Sequence, residues 1–185
     1  MKNKSIVIFI IIVAMLVLSV VGKYNTLVSL DETVSSKWAQ VENQLKRRAD
    51  LVPNLVNTIK GYASHEEEVF INVTKARSGL LDAETPSEYS KANAELNKAM
   101  TQLNVVVENY PEIKANENFL KLQDELAGTE NRLAVARMDY NEEVKRFNSK
   151  TRRFPTNIIA NMFGFEKKVY FEINEEDAKV PEVNF

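Results

Sequence analysis

Two patterns of apolar residues divide the chain. From Ile6 to Gly22 the segment IVIFIIIVAMLVLSVVG runs 17 positions without a charge, between Lys4 and Lys23. As a helix it rises about 26 Å, just under the ~30 Å hydrocarbon thickness of a bilayer, so it is a minimal spanning helix. Beyond it, apolar residues recur every three or four positions, the period of a helix with one buried face. A first stripe reads Leu27, Leu30, Val34, Trp38, Val41 and Leu45. A second reads Leu55, Ile59, Tyr62, Val69, Val73, Ala76 and Leu80. A third reads Tyr89, Ala92, Leu96, Ala99, Leu103 and Val106. The last and longest runs from Phe119 through Leu122, Leu126, Thr129, Leu133, Ala136 and Tyr140 to Phe147. Such stripes predict an all-α protein: an N-terminal transmembrane helix followed by a long antiparallel helical bundle.

The breaks between stripes carry turn chemistry. Thr85-Pro86-Ser87 separates the second and third helices with a proline and a serine cap. Tyr110-Pro111 ends the third, since the residue before proline avoids the α region. Asn116 is placed to cap the fourth helix, and Phe154-Pro155 closes it. Pro53 has two readings. Asp50-Leu51-Val52-Pro53 suits a cap and a first helical turn, which gives four helices, the arrangement favoured. The apolar phase also runs on from Leu45 through Arg48 and Val52 to Leu55, as in one long kinked helix. After Pro155 the pattern changes. Phe154–Phe165 is short and apolar, Val169–Ile173 reads as extended, and Ala178–Phe185 reads as loop or edge strand. The expected organisation is residues 1–22 as tail and anchor, 23–153 as bundle, and 154–185 as a short apolar helix and extended tail packing on the bundle or the membrane.

The 17-residue run competes with one alternative, a cleaved signal peptide. Cleavage wants small residues at −3 and −1. The best site, Val20-Val21-Gly22, offers valine at −3, and no cysteine follows to make a lipobox, so a retained anchor is the better reading. Lys2 and Lys4 precede the run, while Lys23 and Lys37 follow it closely. By the positive-inside rule this is nearly a tie, and the short basic tail tilts it toward an exported bundle.

Removing residues 1–22 leaves 163 residues with 22 Lys+Arg against 26 Asp+Glu. That length sustains one domain with a real core. A mildly acidic domain lacks the concentrated basic face nucleic acid needs, so no nucleic-acid partner is expected. Five glycines in the whole chain argue against a Rossmann or P-loop nucleotide site.

Catalytic chemistry is hard to assemble from this sequence. His65 is the single histidine and there is no cysteine. His65-Glu66-Glu67-Glu68 begins like a zincin motif, but Val69 stands where the second histidine belongs. A di-iron bundle needs Glu-x-x-His on two helices, and a nucleophile-plus-base triad has no partners here. No catalytic residue, cofactor or metal ligand is therefore assigned, and an enzyme is not expected. An enzymatic role would need a carboxylate pair such as Glu66 and Glu130 facing one cleft. Charges on or beside the apolar stripes (Arg48, Glu66, Arg77, Glu130, Arg137) are expected to pair across the bundle and fix its register. Lys46, Arg47 and Arg48 form a basic run that offers a candidate interaction surface. If four helices alternate in direction, the fourth returns toward the membrane. Ile158, Ile159, Met162, Phe163 and Phe165 then become candidate membrane contacts, the alternative being a plug under the bundle.

A family resemblance spans nearly the whole chain. It rests on an N-terminal hydrophobic helix, Tyr24-Asn25-x-Leu27-Val28, Trp38, and Arg47-Arg48-x-Asp50-Leu51-Val52-Pro53-Asn54-Leu55-Val56. Lys60-Gly61-Tyr62-Ala63, His65-Glu66, Ala76-Arg77, Tyr110-Pro111, Lys114-Ala115 and Thr129-Glu130 follow in order. Tyr140-Asn141, Phe154-Pro155, Gly164-Phe165, Tyr170-Phe171 and Pro181-x-Val183-x-Phe185 complete it. In this the chain resembles the bacterial LemA family. The resemblance implies a membrane-anchored helical bundle working beside other membrane proteins, with no catalytic residues to carry over. It also implies a short N-terminus outside the cell, opposite to the charge reading. The combined expectation is a single-pass membrane protein acting as an interaction or scaffold module. Its expected partners are the bilayer and other membrane-associated proteins. The alternative is a lipid- or small-ligand-binding module.

Overall fold

The computed structural model describes residues 2–172. The expectations for Ile173 and for Ala178–Phe185, including the Pro181-x-Val183-x-Phe185 close, lie outside the described residues. Among those described there are six helices and no strand. They are α1 (Lys2–Lys60), α2 (Glu67–Leu81), α3 (Pro86–Glu108), α4 (Pro111–Lys114), α5 (Glu117–Arg152) and α6 (Thr156–Phe163). The chain is all-α, and its first helix is long and apolar enough to cross a membrane by length and composition. Two compact units divide it. One comprises residues 1–37 and 141–168, the other residues 38–140 and 169–185.

The second unit is the bundle proper. Val41, Leu45, Ala49, Val52, Leu55 and Ile59 form the buried edge of α1, and Phe70, Val73 and Leu80 of α2, Leu96 and Leu103 of α3, and Leu126 and Leu133 of α5 are buried in the same unit. Each fully buried leucine or isoleucine contributes about 1.5–3 kcal/mol relative to exposure. Pro53 does not break α1, contrary to the favoured turn reading; the first break falls at residues 61–66. The reason is a hydrogen bond from another helix. Proline has no N–H, so the carbonyl of Ala49, four residues back, loses its helical partner. Arg77 on α2 supplies it, its Nε–H donating to Ala49 O at 2.7 Å. The second predicted stripe is thus split between α1 and α2: Tyr62 is exposed in the intervening turn, and Phe70 rather than Val69 enters the core.

The other boundaries follow sequence signals more closely. Thr85, not Ser87, caps α3. Its hydroxyl accepts from Glu88 N–H while the Glu88 carboxylate accepts from Thr85 N–H, with Pro86 in the first turn. Asn116 caps α5 as expected, its Oδ1 accepting from the N–H groups of Asn118 and Phe119 at 3.0 Å each. The segment after α6 joins no strand pair among the described residues. In this unit side chains hold it instead: Tyr140 Oη donates to Val169 O at 2.7 Å and Ser90 Oγ to Glu172 O at 2.5 Å.

In the first unit α6 packs on α1. Leu27, Ile159 and Ala160 form a small buried cluster joined by Val20 and Phe165. Gly164 ends α6 in the left-handed region at φ 74°, and Phe165 N–H donates to Ala160 O at 2.9 Å, closing a Schellman-type cap. Lys168 pairs with Asp31 at 2.5 Å, and Asn148 brackets the Lys168 backbone, accepting from its N–H and donating to its carbonyl.

Candidate functional site

Two places in the structure concentrate unusual chemistry, one in each unit. In the bundle unit it is a buried polar cluster around Arg48. This residue is 8% exposed and does not present its charge at the surface. Its guanidinium donates to Asn93 Oδ1 at 2.8 Å and to Asn97 Oδ1 at 2.6 Å. It also lies 2.8 Å from Glu130 Oε2, while Arg137 approaches Glu130 Oε1 at 3.7 Å. Burial lowers the pKa of Arg48, the charge of Glu130 opposes that shift, and Arg137 adds to it. One cation is thus held by an anion and two amide carbonyls, drawn from α1, α3 and α5. The expected pairing across the bundle is present between Arg48 and Glu130.

This placement divides the Lys46-Arg47-Arg48 run. Lys46 and Arg47 are exposed on α1, whereas Arg48 belongs to the core and cannot form a surface with them. Glu66 and Glu130 have separate partners. Glu66 accepts from Tyr110 Oη at 3.2 Å, and desolvation followed by that bond raises the phenol's pKa. His65 is exposed in the turn after α1. No group of three or more His, Cys, Asp or Glu able to hold a metal ion occurs among the described residues. Between α2 and α3 lies an open groove of about 370 Å³, with Ala76, Gly79, Ala92 and Ala99 on its walls.

Trp38 is half-buried in an aromatic group, its ring centroid 5.5 Å from Tyr89, 5.1 Å from Tyr140 and 6.2 Å from Phe171. Arg137 lies over the Phe171 ring at 5.7 Å. Asn93 and Asn97, which complete the Arg48 site, were not singled out in the sequence. The signal was there in part: Asn93 falls one residue after Ala92 of the third stripe and is itself buried.

In the other unit the unusual feature is the outward face of α6. Of the five candidate membrane contacts, Ile158, Met162 and Phe163 are exposed. Ile159 is buried and Phe165 packs against the same cluster on α1. Phe154 adds a fourth exposed apolar side chain just before the helix.

The sequence model of the LemA family matches residues 37–185. The chain belongs to the LemA family. Protein LemA of Metamycoplasma hominis is 25% identical over 174 residues, covering 92% of this chain and 78% of its own. Magnetosome proteins MamQ 1 and MamQ 2 of Paramagnetospirillum magneticum are each 25% identical over 192 residues, covering 90% of this chain and 71% of theirs. The family match takes in the whole Arg48 cluster, all of α2–α6 and the later part of α1, and begins beyond the apolar run.

Proposed function

We propose that this LemA-family chain is a single-pass membrane protein whose bundle serves as a non-catalytic interaction module for other membrane-associated proteins. The observation that carries the reading is the first helix: its apolar window is nowhere buried and passes without interruption into a helix whose later residues form the bundle core. An apolar helix with no protein cover needs lipid. The internal pairing of Arg48, Glu130 and Arg137 supports a structural use of those charges, and Lys46 and Arg47 remain as the exposed cations of the candidate surface. In this reading residues 1–22 are the anchor, 23–153 the bundle and 154–185 its attached segment. The bundle lies on the extracytoplasmic side.

In-cell crosslinking of the tagged full-length protein with mass spectrometry tests this, run beside a Lys46→Ala/Arg47→Ala variant that leaves Arg48 in place. The expected result is a specific membrane-associated partner lost in the variant. Equal recovery of abundant bystanders from both forms would overturn the interaction surface.

A further inference from the structure

We infer that α6 is a second membrane contact, lying in the interface of the same bilayer that α1 crosses. The inference rests on reading Ile6–Gly22 as membrane-spanning and adds a site to it. Four large apolar side chains crowd the outward face of α6 and its lead-in: Phe154 is 80% exposed, Ile158 57%, Met162 63% and Phe163 50%. Ile158 and Met162 are four residues apart on one face of α6, and Phe154 lies in the turn just before the helix. Soluble surfaces scatter such residues singly, and a patch of them marks a contact. The inward face (Thr156, Ile159, Ala160) is already buried, so packing within this unit does not account for the outward one.

The position of α6 along α1 identifies the occupant. Phe163 stacks on Tyr24 with ring centroids 4.7 Å apart, and Phe165 lies 5.9 Å from the same ring. Val20 packs against the Ile159–Ala160 cluster. Tyr24 is two residues past the end of the uncharged run and Val20 two residues inside it. At 1.5 Å per residue α6 therefore sits within about 3 Å, measured along α1, of the edge of the spanning segment. That is the depth at which amphipathic helices lie in a bilayer and tyrosines collect. Exposed Arg152 and Arg153 precede the helix and exposed Lys167 follows it, placed to meet anionic headgroups at both ends.

The chain has no cysteine, so a single introduced one takes a fluorophore uniquely. Met162→Cys, Ile158→Cys, Ile11→Cys and Lys145→Cys forms of the full-length protein would be labelled with an environment-sensitive dye. Each would be reconstituted in vesicles of phosphatidylcholine and phosphatidylglycerol. Lipids carrying a nitroxide near the headgroup or near the chain end then act as quenchers. Labels at 162 and 158 should shift to the blue and lose most emission to the shallow quencher. The label at 11 should respond most to the deep one, and the label at 145 to neither. Labels at 162 and 158 that behave like the one at 145, with position 11 still quenched, would overturn the inference and leave the anchor standing. An unquenched label at 11 would overturn both. A blue shift at 162 seen in native membranes but absent from lipid-only vesicles would assign the face to a protein instead.

Discussion

Arg48 shows how a residue's type and its position can disagree about its role. In the sequence it is the third of three cations, yet it alone of them also falls on the apolar phase that runs from Leu45 to Val52. In the fold one turn of helix separates solvent from core, and Arg48 falls on the core side beside Ala49 and Leu45. Its neighbours decide what a substitution costs. Arg48→Met strips the partner from the buried Asn93 and from Asn97 and Glu130 together, so a loss of about 3 kcal/mol is expected in urea unfolding. Glu130→Gln should cost less, about 1–2 kcal/mol, because the Glu130 side chain is 39% exposed and glutamine still accepts a hydrogen bond. The reverse order would show that the carboxylate, not the guanidinium, organises the cluster. Tyr140 gives a pH signature. Burial pushes its phenol up to about 12, so the fold favours the protonated form. The unfolded phenol ionises from about pH 10, while the folded one keeps its proton to about pH 12. Stability is therefore full below about pH 10 and falls by roughly 1.4 kcal/mol per pH unit across that window. Tyr140→Phe should remove this alkaline drop, read as urea midpoints at pH 9 and 11.

At the level of elements, periodicity made most of the fold legible, because each stripe records a face that packs in the folded chain. Leu96, Leu103, Leu126 and Leu133 are buried as their spacing requires. Pro53 was not legible, and the physical reason is long-range. The sequence shows the lost N–H but not the arginine that replaces it from another helix, 28 residues beyond Ala49. The pair can be tested as a cycle. Arg77→Met alone leaves the buried Ala49 carbonyl without a donor and should cost about 1–3 kcal/mol. In a Pro53→Ala background the amide of residue 53 can take that carbonyl, so the same arginine substitution should cost at least 1 kcal/mol less, about the worth of one net hydrogen bond. Equal costs in the two backgrounds would mean that Arg77 acts through packing alone. The α6 contacts were legible only in part, since five apolar residues were evident from composition while their division between an inward and an outward face depends on where α6 meets α1.

For the whole molecule, the charges near α1 bear on the side of the membrane that the bundle occupies. Lys2 and Lys4 precede the apolar run closely, and Lys23 and Lys37 follow it. Flanking charge is thus balanced, and charges deeper in a domain longer than about 60 residues count little for orientation. One asymmetry remains. The residues just before the apolar run carry two lysines and no acid, whereas Asp31 and Glu32 follow it. That arrangement keeps the basic tail inside, so the bundle is expected outside. The cysteine-free sequence again supplies the measurement. Arg47→Cys places one thiol on the exposed side of α1. A membrane-impermeant maleimide should label it on intact cells, and permeabilisation should add little. Labelling that appears only after permeabilisation would place the bundle in the cytoplasm and agree with the outward N-terminus that the family resemblance implies. It would also move α6 to the inner leaflet, because that helix is fixed to α1 at Tyr24 and Leu27, just past the end of the spanning run. The lipids Arg152 and Arg153 meet would then be those of the cytoplasmic face. The sidedness experiment therefore selects the leaflet in which the α6 contact must be sought.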